Sequence, residues 1–188
     1  MLSTWELFRD ELDRNISPNL EMIEQQLLFL VERNICSEAD FSKITKVRLM
    51  ASHEQAISEY LHNRGIFRQA SLKAETVYLA SIIEFLLSKI LKYFEDRKII
   101  SRDNIIRIIP QYPKRKTFDQ LIKTAKHFPQ FSDKLRFSLN ELREERNRVH
   151  IDAICPNDTA LFNEENLVLK FRKLFDDFIS YIRENAHN

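Results

Sequence analysis

A single glycine, Gly65, stands in 188 residues. That scarcity constrains the fold more than any motif does. Tight hairpins need residues with positive φ, and phosphate-cradling loops need backbone without a Cβ; both draw on glycine. A chain this poor in it is expected to fold as long helices joined by short, non-glycine turns. The five prolines (Pro18, Pro110, Pro113, Pro129 and Pro156) all fall at apparent element boundaries, which supports the same view. With 44% hydrophobic and 30% charged residues, the chain can bury a real core. The expected fold class is all-α, a helical bundle.

Helix signals divide the chain. A short amphipathic segment starts at Ser3. A second begins with Ser17 as N-cap and Pro18 at the first helical position, where its missing N–H costs nothing. Ser37 opens a third helix, expected to stop at Gly65 through a left-handed cap. The most apolar stretch, residues 69–98, is expected to be central, with Ala74, Val77, Tyr78, Ile82, Phe85, Leu86 and Ile90 on one stripe widened by Ala80, Ile83 and Leu87. Ser101 starts a short piece, "YPKRK" is a loop, and Thr117 with Gln120 forms a capping box. Ser132 caps a helix running through residue 149, "CPNDT" breaks the chain, and an amphipathic helix closes it. Residues 1–65 read as an N-terminal helical arm, packed on a bundle of residues 66–188.

Formal net charge is only +1, so the chain as a whole is not a polyanion-binding surface. The charge is uneven, though. Arg107, Lys114, Arg115, Lys116, Lys123 and Lys126 face only Asp119 over twenty residues, a pointer to an anionic partner. Cys36 and Cys155 have no CxxC spacing, which argues against structural zinc and a disulfide framework. The start is polar and no apolar run approaches a membrane span, so the expected compartment is the cytoplasm, without a membrane partner.

One stretch carries chemistry: "LREERNRVHI", residues 142–151. At about 100° per residue, His150 lies about 20° from Arg143, and Arg146 and Asn147 fall within about 60° on either side. Leu135, Leu139 and Leu142 sit beside this stripe as a core seam. Asn140, Glu141, Glu144, Glu145 and Arg148 occupy the opposite, solvated arc. Two arginines bordering a buried face call for ion pairing, a ligand or an interface. A plainer reading also stands: basic groups near a helix C-terminus complement its dipole, and Glu144 or Glu145 can pair with neighbours.

The run "RNRVH", preceded by Arg143, resembles the signature of the HEPN superfamily, an arginine and a histidine separated by four to six residues. Arg143 and His150 enclose six; Arg146 and His150 enclose three, which departs from that pattern and leaves Arg146 in support. The order of elements over residues 66–186 is also similar, with an apolar central helix, the motif late in a following helix, and one helix after it.

The resemblance implies a metal-independent endoribonuclease acting in toxin–antitoxin, abortive-infection or other antiviral defence, built as a homodimer with apposed motifs and needing no cofactor. His150 would move protons at the RNA 2′-OH or the 5′-oxygen. Arg143 and Arg146 would grip the scissile phosphate, and Asn147 would orient the histidine or the phosphate. Some HEPN toxins carry a modified tyrosine two positions after the histidine. Asp152 stands there in this chain, so a partner antitoxin would act by binding.

Lys114, Arg115 and Lys116, with Tyr112 and Phe118 nearby, suit an RNA-binding loop; they equally suit a solvated one. Glu84, the only acid between Glu75 and Glu95, suits a partner for a motif arginine or a polar edge. The other readings of the chain are a non-catalytic HEPN-like module binding RNA, nucleotide or protein, and a purely structural bundle.

Overall fold

The computed structural model describes residues 20–60, 65–97, 117–128, 131–152 and 165–186, except for the side chains of residues 65–67, 149–152 and 165. Every regular element among the described residues is helical, so the protein is all-α. Helical residues 20–27 pass through a turn at Leu28 into the short helix α1 (Phe29–Glu32). The stop after α1 is at Asn34, whose φ of 57° is left-handed. Asparagine tolerates that region, and the N–H groups of Ile35 and Cys36 return to the Leu30 carbonyl at 2.9 and 3.1 Å.

Ser37 does cap α2 (Glu38–Tyr60): its Oγ accepts from the Asp40 N–H at 3.2 Å. The expected stop at Gly65 is corrected. Gly65 is instead the first residue of α3 (Gly65–Asp96), a helix-start position where glycine is tolerated. The capping box that opens α4 (Phe118–Ala125) is complete, with Thr117 N–H to Gln120 Oε1 at 2.9 Å and Gln120 N–H to Thr117 Oγ1 at 3.3 Å. Ser132 accepts from Leu135 N–H at 3.2 Å and opens α5 (Asp133–Asp152). The last helix is α6 (Glu165–Asn185).

α3 is the hub, packed against α2, α4, α5 and α6. Of the expected stripe, Ala80, Ile82, Ile83, Leu86, Leu87 and Ile90 are buried, as is Leu79, whereas Ala74, Val77, Tyr78 and Phe85 are only half-buried.

Specific contacts set the helix directions. Lys89 meets Asp40 near the start of α2 at 2.6 Å, while Glu59 near its end and Glu75 early in α3 both approach Arg172, at 3.9 and 2.7 Å, so α2 and α3 run antiparallel. Phe131, just before α5, lies 4.8 Å (ring centroids) from Tyr181 near the end of α6, and Glu141 pairs with Lys170 at 2.6 Å near its start. Those two helices are therefore antiparallel as well. Phe94, Phe128 and Phe131 cluster with centroids about 6 Å apart and pin the end of α3 to the entry of α5. Near the chain's other described end, Arg33 donates to the Ala186 carbonyl at 2.8 Å and Arg183 to that of Gln26 at 2.8 Å. One core results: Leu27, Leu30, Ile44 and Ala51 share a cluster with α3, α4, α5 and α6.

Candidate functional site

The motif helix is oriented by its leucines. Leu139 and Leu142 are fully buried and Leu135 partly so, and this fixes which neighbours fall at the edge of the core. Arg146 shares the angular sector of that seam, and Arg143 lies about 40° beyond Leu139. Both guanidiniums are accordingly drawn inward, with side chains 24% and 28% exposed for Arg143 and Arg146.

Each finds a carboxylate on a different helix. Arg143 Nη1 donates to Asp119 Oδ1 of α4 at 2.8 Å, and its Nη2 reaches the exposed Glu144 at 3.3 Å. Arg146 Nη1 donates to Glu84 Oε2 of α3 at 2.7 Å. The polar-edge alternative for Glu84 gives way to a cross-helix pair. In both arginines the Nε is buried and has no acceptor among the described residues.

Asp119 is shared. Its Oδ2 also accepts from Lys123 at 2.7 Å, one turn along α4. The Lys123 hydrogen bond, with the positive charge of Arg143 adding to it, holds the Asp119 carboxyl below the usual range. Sequence reasoning passed over this residue. Its signal was present, as the single acid in a basic stretch and in the first turn of a capped helix.

Two placements differ from expectation. Asn147 is exposed and bonded to neither arginine, because it lies on the flank of Arg143 away from the leucine seam. Glu145, expected in solvent, is only 13% exposed and pairs with Arg148 at 2.7 Å. It sits about 60° from Leu142 on the seam's other flank, so α5 is clamped further round than its polarity suggests.

α5 continues unbroken to Asp152, so the backbone of His150 keeps the stripe's register one turn beyond Arg146. The His150 side chain lies outside the described residues. So do Lys114, Arg115, Lys116, Tyr112 and Cys155, and with them Ser3, Ser17, Pro18 and the piece from Ser101.

A second polar cluster, absent from the sequence reading, joins α2, α3 and α6. Glu75 is fully buried and takes both Nε and Nη2 of Arg172, at 2.7 and 2.8 Å. Arg48 lies 4.9 Å from the Phe175 ring centre, its Nε and Nη1 buried without an acceptor among the described residues. Burial weakens its hold on the proton, while Asp176 and Glu75 counteract. Arg48 and Arg172 are met here by Glu75, Asp176 and the more distant Glu59, an internal pairing that suits a structural role.

Among the described residues, no group of histidine, cysteine and acidic side chains could hold a metal ion, and no helix is long and apolar enough to cross a membrane. In comparisons with known proteins, no family model, no curated protein and no solved structure matches this chain.

Proposed function

We propose that this protein is a HEPN-type endoribonuclease that cleaves RNA without a metal, as a homodimer, in a toxin–antitoxin or antiviral defence setting in the cytoplasm. One observation carries the reading: two arginines one turn apart on α5 are held in place by carboxylates from α3 and α4, below the backbone position of His150. In this reading His150 deprotonates the 2′-OH, whose oxygen attacks the adjacent phosphorus. The bond to the 5′-oxygen breaks, and that oxygen leaves as an alcohol, taking the proton that the imidazole accepted. Arg143 and Arg146 take the charge that gathers on the non-bridging oxygens, for which forked guanidiniums suit better than ammonium groups. Lys114, Arg115 and Lys116 extend the grip along the strand, and Asn147, being exposed, is free to meet the substrate.

The test is incubation of purified protein with single-stranded RNA in the presence of chelator, beside His150→Ala and Arg143→Ala. Cleavage to 2′,3′-cyclic phosphate ends is expected from the parent alone. General acid–base help is worth roughly 10²- to 10⁴-fold, so the His150 variant should lose at least that much. Cleavage that persists in both variants removes the catalytic assignment. Sedimentation should show a dimer.

A second reading has its own support. Each motif guanidinium already has a carboxylate partner, as in a helix-packing buttress. A non-catalytic HEPN-like module of this kind would bind RNA, nucleotide or a partner protein, with affinity falling steeply with salt and with no turnover.

A further inference from the structure

The four groups at the centre of the candidate site, Arg143, Arg146, Asp119 and Glu84, are two cations and two anions. A phosphodiester approaching this set meets no net charge. Arg143 has its Nη1 on Asp119, its Nη2 on Glu144 and its Nε buried, so a phosphodiester that takes the Nη1–Nη2 fork of this arginine displaces the carboxylate that now holds it.

The two carboxylates differ in what opening costs. Glu84 projects from the hub helix α3, is 24% exposed, and has Arg146 as its partner at 2.7 Å. Released, it would stand at the edge of the core without a counter-charge. Asp119 is 34% exposed and sits in the first turn of α4, where the helix dipole favours an anion. Its second oxygen is already on Lys123. When Arg143 leaves, Asp119 keeps a cation, a dipole and water.

We propose that Asp119 is a latch, holding Arg143 in the unloaded protein and releasing it when a phosphodiester takes that guanidinium. The latch rests on the ribonuclease reading and goes beyond it by naming which internal contact the substrate displaces. Arg143 therefore changes partners during each binding event, whereas Arg146 stays tied to Glu84 and positions the strand. Asp119 itself touches no reacting atom; it acts through Arg143.

Salt separates this from a merely structural role. A protein cation that meets a single strand releases a condensed counterion and adds about 0.7 to the slope of log affinity against log salt. In the parent protein part of that gain is returned, because Asp119, only partly offset by Lys123, keeps its negative charge beside the bound strand. Without the carboxylate, nothing is returned.

The experiment measures anisotropy of a labelled, fully 2′-O-methylated single-stranded RNA, which binds but lacks the attacking hydroxyl. Four proteins are titrated across a range of salt: parent, Asp119→Asn, Arg143→Ala and the double variant. Asp119→Asn should bind at least threefold tighter than parent at low salt, with a slope steeper by up to about 0.7. Both effects should vanish in the Arg143→Ala background.

Equal or weaker binding by Asp119→Asn overturns the latch, as does a gain that survives without Arg143. If the parent cleaves ordinary RNA while Asp119→Asn binds unchanged, the latch alone falls. If none of the four proteins binds RNA, the ribonuclease reading falls with it. A measurement on the parent guards against a variant that fails to fold: the Asp119 carboxylate ¹³C resonance should move when RNA is added. A resonance that stays put while RNA binds also overturns the latch.

Discussion

Glu75→Gln is the substitution for which the structure fixes the largest effect. Glu75 is fully buried and receives two charged hydrogen bonds from Arg172, whose own side chain is only 19% exposed. The amide keeps the shape and one acceptor oxygen but removes the charge. The contact of Arg172 with Glu59, at 3.9 Å, is to a residue 64% exposed and screened by water, and the nearby Arg48 adds repulsion. Removing one partner of a buried pair costs about 3–5 kcal/mol, most of it the penalty of the charge left behind. Against a total stability of about 5–15 kcal/mol, that is a fifth of the fold at the least.

With a urea m-value of about 2 kcal/mol per molar, the unfolding midpoint should fall by roughly 1.5–2.5 M. The double variant Glu75→Leu/Arg172→Met removes both charges and fills similar volume. It should recover most of that loss, because a buried pair and its apolar replacement are often near parity. Urea unfolding followed by far-UV circular dichroism reads both. A Glu75→Gln midpoint within about 0.3 M of the parent would show that the pair is solvated, and would refute the reasoning.

Two other substitutions probe groups that burial has left ill at ease. The Tyr181 hydroxyl is buried without a partner among the described residues, and burial pushes its pKa well above the ordinary value. Tyr181→Phe keeps the ring contacts with Phe131 and Phe178 while deleting a hydroxyl whose desolvation costs about 1–3 kcal/mol, so the urea midpoint should hold or rise; a clear fall would reveal a hidden partner. Burial likewise raises the Glu54 carboxyl above the ordinary 4.5, against a lowering hydrogen bond from Ser71. The sign follows: the folded state holds this proton more tightly than the unfolded chain, so the stability it contributes is full below the ordinary value and lost as pH rises through the raised one. Glu54→Gln should therefore be more stable than parent at neutral pH and should lose that advantage in acid, whereas an advantage independent of pH would contradict the cause given.

The helices were legible because their signals are local. Thr117 with Gln120, Ser132 and Ser37 each announce a helix start through a side-chain oxygen that can reach back to an exposed N–H, and all three do so. The leucine seam of α5 was equally legible, since Leu135, Leu139 and Leu142 need only the helical period. What failed depends on neighbours the period does not name. Gly65 reads as a stop from its φ freedom alone, yet it starts α3. The α3 stripe holds at Ile82, Leu86 and Ile90 but falls short at Ala74, Val77, Tyr78 and Phe85, which are half-buried.

The site divides the same way. Helical winding places Arg143 and Arg146 at the core edge, but nothing in residues 142–151 says which acids will meet them. Glu84 could be singled out as an isolated acid in an apolar helix. Asp119 stood out only as the lone acid of a basic stretch, and its tie to Arg143 exists only once α4 packs on α5. The Glu75–Arg172 pair was hidden for a related reason. Glu75 belongs to a segment whose charges pass for a helix's outer face, and only the arrival of α6 buries it.

The arginines of this protein thus fall into two kinds, and the difference bears on function. Arg172 commits its Nε and Nη2 to one buried carboxylate, an arrangement whose opening costs about 3–5 kcal/mol and which no phosphate can match cheaply. Arg143 gives one Nη to a part-exposed carboxylate that has a second cation at hand, and the other to the exposed Glu144. Exposed ion pairs are worth about 0–1 kcal/mol, so exchanging Asp119 for an RNA phosphate is close to balanced before the strand makes any other contact. A guanidinium with so small a barrier between partners suits a site that must bind, turn over and empty. One locked in the core, as Arg172 is, can only be scaffold.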